Sequence, residues 1–131
     1  MALVAGTSVC LRGVDPTLIW SLVREHHITH LCGAPIIYSM LIDAPAELRV
    51  GLEHTLQGLI AGAAPPAAVI EGCEAAGIAL THVYGLTEVY GPAAVCATQA
   101  HWADLEAGER ARLIARQGVP YPLQEAITVL D

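Results

Sequence analysis

Thr81-His82-Val83-Tyr84-Gly85-Leu86-Thr87-Glu88 decides how this chain is read, because an apolar run of strand character stops in a glycine turn that presents a hydroxyl beside a carboxylate. Parallel sheets deliver polar groups to a ligand in this way, at the carboxyl ends of their strands. The strand itself spans residues 78–84. Before it, residues 67–76 place Val69, Ile70 and Cys73 on one side of a helix and Glu71 and Glu74 elsewhere, with Gly77 as the stop. Before that helix, the apolar run 56–61 empties into Gly62-Ala63-Ala64-Pro65-Pro66, a loop of small side chains. The order is therefore strand, helix, strand, which predicts a right-handed parallel crossover with both strand ends on the same sheet edge. Residues 62–64 and 84–88 then converge although they are about twenty positions apart in sequence.

Working outward, the same alternation continues. Residues 9–11 can close a first strand, Gly13 turns the chain, and Asp15-Pro16 offers a helix cap followed by proline at the first helical position. Leu18, Ile19, Leu22 and Val23 recur at helical spacing up to His26. Residues 28–32 read as a strand, and Pro35 starts a helix through Tyr38 and Leu41 that stops near Ala44-Pro45. Past Gly91-Pro92, residues 93–98 form another strand, 102–117 a charged helix ended by Gly118, and 127–130 a last strand. The expected architecture is one α/β domain over residues 1–131: three layers, with a mostly parallel sheet flanked by helices.

Composition narrows the function. Hydrophobic residues make up 54% of the 131, charged residues only 15%, and phenylalanine is absent, so small and aliphatic side chains must build the core. The formal charge of −7 argues against nucleic acid, whose binding needs clustered cations. No apolar run approaches the ~20 residues of a membrane span, and the apolar start lacks a basic region, so a cytoplasmic protein is expected. All six basic residues are arginines (Arg12, Arg24, Arg49, Arg110, Arg112, Arg116), so chemistry that requires lysine must come from elsewhere. Cys10, Cys32, Cys73 and Cys96 form no close pair and read as small packed hydrophobes, while the six histidines lack ligand spacing. The arginines 110, 112 and 116 read as a solvated helix face.

A nucleotide needs a flat surface for its base, donors for phosphate oxygens and carboxylate oxygen for magnesium. Gly62, Ala63 and Ala64 let a purine approach the main chain, and the Tyr84 ring can wall it beside Gly85. Thr87 can donate to phosphate, and Glu88 is a hard oxygen ligand. The same residues also read as a tight turn and a capped helix start. His82 either approaches the base edge or, alternating with Val83, faces the other way.

Tyr84, Gly85, Thr87 and Glu88 match in order and spacing the Tyr-Gly-x-Thr-Glu motif of AMP-forming acyl-CoA synthetases, and residues 61–65 resemble that family's adenine-side loop. Glu88-Val89-Tyr90-Gly91-Pro92, Trp102, Glu109-Arg110-Ala111 and the segment 115–119 are similar to the short- and medium-chain acyl-activating enzymes. Val89 departs from the threonine common after the glutamate. The resemblance implies a parent enzyme that activates a carboxylic acid, such as a fatty acid, with ATP to acyl-AMP and forms a thioester with coenzyme A. It assigns catalysis to Thr87 and Glu88 and cofactor binding to Gly62, Ala63, Ala64, Tyr84, Gly85 and Thr87, with adenine against Tyr84 and the small loop, the AMP phosphate on Thr87 and magnesium on Glu88. Val83, Gly91 and Pro92 would border the acyl pocket. The family's phosphate loop, its Thr-Gly-Asp segment and its C-terminal lysine are not in this sequence, which therefore reads as a central fragment, inactive alone. The alternative is a non-catalytic nucleotide-binding module, or one that self-associates into a homo-oligomer through surfaces exposed by truncation.

Overall fold

A computed structural model describes residues 4–122, 124, 125, 127 and 128. Five strands stand in the order β1 (His30–Gly33), β2 (Leu56–Ile60), β3 (Ile78–Leu86), β4 (Gly91–Val95) and β5 (Val119–Pro120). The pairs β1–β2 and β2–β3 are parallel, whereas β4 and β5 add antiparallel. Helices α1 (Pro16–Glu25), α2 (Pro35–Ile42), the single turn α3 (Ala46–Arg49), α4 (Ala67–Ala75) and α5 (Ala107–Ile114) flank this sheet. The expected α/β class and flanking helices are thus present.

Local chemistry explains the helix limits. The Asp15 carboxylate accepts from Thr17 N at 2.8 Å and Leu18 N at 3.3 Å, and Pro16 opens α1. At its far end His27 takes a left-handed conformation, φ +48°, and the Ile28 N–H reaches back to Val23 O at 3.0 Å, the bonding of a helix-ending Schellman turn. Between α1 and α2 the buried Trp20 indole donates to Leu41 O at 3.1 Å. The Tyr38 hydroxyl lies at 2.9 Å from Leu31 O and 3.2 Å from Leu59 O, pinning α2 to two strands.

One face of the sheet makes the core. Leu56, Ile60, Ile78 and Leu80 are buried with Trp20, Tyr38, Leu41, Val69, Ile70 and Cys73. Gly58 belongs to the same row, because an added Cβ would crowd Leu80, Ile78 and the Tyr38 hydroxyl. The alternate positions His30, Cys32, Gln57, Leu59 and Ala79 are exposed on the other face.

Five expectations need correction. Residues 9–11 form no strand; the arm 4–15 is exposed and pairs with no strand, so it gains no ladder hydrogen bonds. Gly85 is not a turn but lies inside β3, which runs on to Leu86 and pairs with β4 through a bulge between Tyr84 and Gly85. Its lack of a side chain serves close strand approach, since an added Cβ would collide with the Gly91 carbonyl. The strand expected at 93–98 begins earlier and runs antiparallel. The helix expected at 102–117 is broken: a 3-10 turn over Ala100–Asp104 precedes α5, with Leu105 extended between them at φ −83°, ψ 152°. Arg110 is no solvated side chain, because it grips Glu74 on α4 through Nη2–Oε1 at 2.6 Å and Nε–Oε2 at 3.3 Å and donates to Leu105 O at 2.6 Å. The strand expected at 127–130 falls partly outside the described residues.

Burial separates the cysteines. Cys10 and Cys32 are exposed; Cys73 and Cys96 are buried, and burial pushes the Cys73 thiol up to about 12 and the Cys96 thiol upward. At pH 8 a maleimide should therefore label Cys10 and Cys32 in the native protein and reach Cys73 and Cys96 only after urea unfolding, read by peptide mass spectrometry. Gly85→Ala should lower stability by about 2–3 kcal/mol through overpacking. Gly62→Ala, at φ +89° with open space around it, should cost about 1 kcal/mol of backbone strain, both read from urea midpoints.

Candidate functional site

The last parallel rung of β2 against β3 pairs Ile60 with His82. β2 then leaves the sheet through Ala61 into the bend at Gly62, Ala63 and Ala64, all three exposed, before Pro65 buries again. β3 instead continues, and its residues 83–86 turn to β4 as a two-stranded ribbon. The bend and Tyr84 thus each begin two residues beyond the same rung, at one edge of the sheet. This juxtaposition is the one that the strand, helix, strand order predicts.

Tyr84 is 40% exposed on β3 and sits opposite Ala94. Gly85 follows, partly buried. Thr87 and Glu88 lie at the tip of the ribbon, in a single 3-10 turn over Thr87–Val89 closed by Tyr90 N to Thr87 O at 3.2 Å. Both side chains are exposed, and Thr87 does not cap the turn, whose flanking residue is the extended Leu86. Tyr90 holds a left-handed φ of +60° and is fully exposed, and Gly91 follows at φ +115°. Of the residues expected near an acyl group, Val83 is buried while Gly91 and Pro92 are exposed on the ribbon.

This edge carries acceptors and hydroxyls but no cation among residues 61–64 and 84–92. Two arginines are engaged elsewhere: Arg24 donates to Leu48 O at 2.6 Å, and Arg110 holds Glu74. Among the described residues no group of three or more His, Cys, Asp or Glu side chains could hold a metal ion. Glu88 is a lone exposed carboxylate on this edge, and magnesium commonly takes one or two carboxylates when phosphates complete its shell. A cavity of about 730 Å³ lies elsewhere, between the arm at 6–11, α1 and β1, and its His26, His27 and His30 form no such ligand group.

Sequence reasoning left His82 open and missed its partner. His82 is 2% exposed, on the same face as Leu80, and its Nδ1 lies 2.9 Å from Arg116 O and 3.2 Å from Ala115 O at the end of α5. Next to it Cys96, whose N–H donates to His82 O at 2.8 Å, gives its thiol proton to Leu113 O at 3.2 Å. Strand alternation from Leu80 was the available signal for His82; nothing in sequence announced Cys96 as its companion.

Comparison with known proteins bears on this edge. The model of the AMP-binding enzyme family matches residues 1–131. A 2-methylpropanoate–CoA ligase of Humulus lupulus is 45% identical over 131 residues, all of this chain and 23% of the relative. An acetate/butyrate–CoA ligase of Arabidopsis thaliana, named peroxisomal, is 39% identical over 132 residues, again all of this chain and 23% of the relative. The amide bond synthetase McbA of Marinactinospora thermotolerans superposes with a TM-score of 0.70 at 23% identity, covering 89% of this chain and 22% of that one, a likeness of fold. The chain spans about a quarter of the length of the curated relatives it matches. It belongs to the AMP-binding enzyme family.

Proposed function

We propose that the chain forms part of an AMP-forming acyl-CoA ligase and supplies one wall of its adenylate site. The observation that carries the reading is the Ile60–His82 rung, which sends the small-residue bend and the Tyr84–Glu88 motif out of one sheet edge. In this reading the exposed backbone of Gly62, Ala63 and Ala64 and the Tyr84 ring receive the adenine, with Gly85 keeping the ribbon thin beneath it. Thr87 donates its hydroxyl to the AMP phosphate. Glu88 is one ligand to magnesium, which when bound neutralises phosphate charge during attack by the carboxylate.

The substrates in the proposal are ATP, a small carboxylic acid and coenzyme A, in keeping with the acids in the relatives' names. Fatty acids fall in the same chemical class. Because lysine is absent and the edge holds no cationic side chain, this edge supplies no protein cation to the α-phosphate under attack. No helix is long and apolar enough to cross a membrane. A cytoplasmic parent and a peroxisomal one are both compatible, the second suggested by a relative's name.

A second reading, a self-associating or nucleotide-holding module without catalysis, draws on exposed Leu59, Leu86, Tyr90 and Val119. Exchange of segments separates the two. Put in place of the matching quarter of the 2-methylpropanoate–CoA ligase, this sequence should support coenzyme A thioester formation, and Thr87→Ala or Glu88→Gln in that chimera should lower kcat/KM by about 10²-fold or more. A folded chimera whose rate ignores both substitutions would refute the assignment. The purified 131-residue chain should release no pyrophosphate from ATP and butyrate, and release would contradict the missing-cation argument. Light scattering that shows a monomer at millimolar concentration would remove the self-associating alternative.

A further inference from the structure

The end of α5 presents carbonyls that no helical N–H can satisfy, as at every helix terminus. Here two side chains reach them, one on β3 and one just past β4, and Leu113 O also accepts from Arg116 N at 3.2 Å. His82 on β3 faces Ala115 O and Arg116 O, and Cys96, just past β4, faces Leu113 O. Both partners of the imidazole Nδ1 are acceptors, so Nδ1 carries the proton. The two residues are linked through their backbones, Cys96 N–H donating to His82 O at 2.8 Å. Burial keeps the Cys96 thiol protonated and able to donate. Immediately after the clasp Gly118, at φ +84°, packs so tightly that an added Cβ would collide with the Val95 carbonyl.

His82 also forms the last parallel rung with Ile60 and directly precedes Val83 and Tyr84. Everything beyond it on β3 has lost β2 as a neighbour and is held by β4 alone. We infer that His82 is a positioning residue: with Cys96 it ties the root of the β3–β4 ribbon to the end of α5 and so fixes where residues 84–88 stand relative to the bend at 62–64. This inference deepens the proposed adenylate site and rests on it for its functional meaning. His82 touches no substrate in this scheme.

The test uses the 131-residue chain with His82→Leu and His82→Asn. Leucine fills the space but cannot donate, whereas the asparagine amide nitrogen can take the place of Nδ1. Hydrogen–deuterium exchange should speed up about tenfold for amides 83–95 and 116–120 in H82L, the loss expected from one buried hydrogen bond, with β2 and α4 unchanged, and H82N should restore protection. AMP titration should follow the same order, with affinity lower by about tenfold in H82L and recovered in H82N. Wild-type exchange across the ribbon in H82L would overturn the inference. So would a uniform loss of protection through the whole domain, or an asparagine variant no better than leucine. If the wild-type chain binds no AMP, the adenylate reading fails at this chain, and the exchange pattern still decides for or against the clasp.

Discussion

The parallel pairing of β2 with β3 is the constraint from which the rest follows. Its register is locked by burial: Leu56 and Ile60 on one strand and Ile78 and Leu80 on the other all face the helices. A slip of β2 by one residue would turn Leu56 and Ile60 to the exposed face and bring Gln57 and Leu59 into the core. Gly58 adds a steric lock, because only a residue without a Cβ leaves room there for Tyr38, which bonds to the carbonyls of Leu31 and Leu59. Fixing that register fixes where both strands end. The bend at 62–64 and the ribbon at 83–86 therefore depart side by side.

The proposed chemistry is divided by the same geometry. This edge offers a thin backbone, an aromatic ring, a hydroxyl and one carboxylate, the groups that suit a base, a phosphate and a magnesium ion. It offers no positive side chain. A chain that spans about a quarter of its relatives can hold a recognisable wall of a site without holding the charges that drive the reaction. Arg110, the arginine nearest the motif in sequence, bonds Glu74 and two carbonyls, which joins α4 to α5.

Local signals made much of the fold legible. Asp15-Pro16 marks the start of α1, Pro35 that of α2, Gly77 the stop after α4, and the β2–α4–β3 unit follows from the change of hydrophobic period between residues 56 and 84. What sequence could not give were features set by partners distant in the chain. Gly85 reads as a turn until β4 lies against it, since the reason for glycine there is the Gly91 carbonyl. The arm at 9–11 has strand composition but no neighbour to pair with. Arg110 looks solvated on its own helix and becomes a clamp only when α4 packs beside it. At the proposed site, residue types and spacing marked one sheet edge, whereas the exposed 3-10 setting of Thr87 and Glu88 and the burial of His82 depended on the antiparallel ribbon and on α5.

The most direct measurement is an AMP titration of the isotope-labelled chain followed residue by residue in amide NMR spectra. The account predicts that the signals of Gly62, Ala63 and Ala64 shift together with those of Tyr84, Gly85, Thr87 and Glu88, along one common saturation curve. Shifts confined to one of the two segments, or concentrated in the groove between α1 and β1, would contradict it.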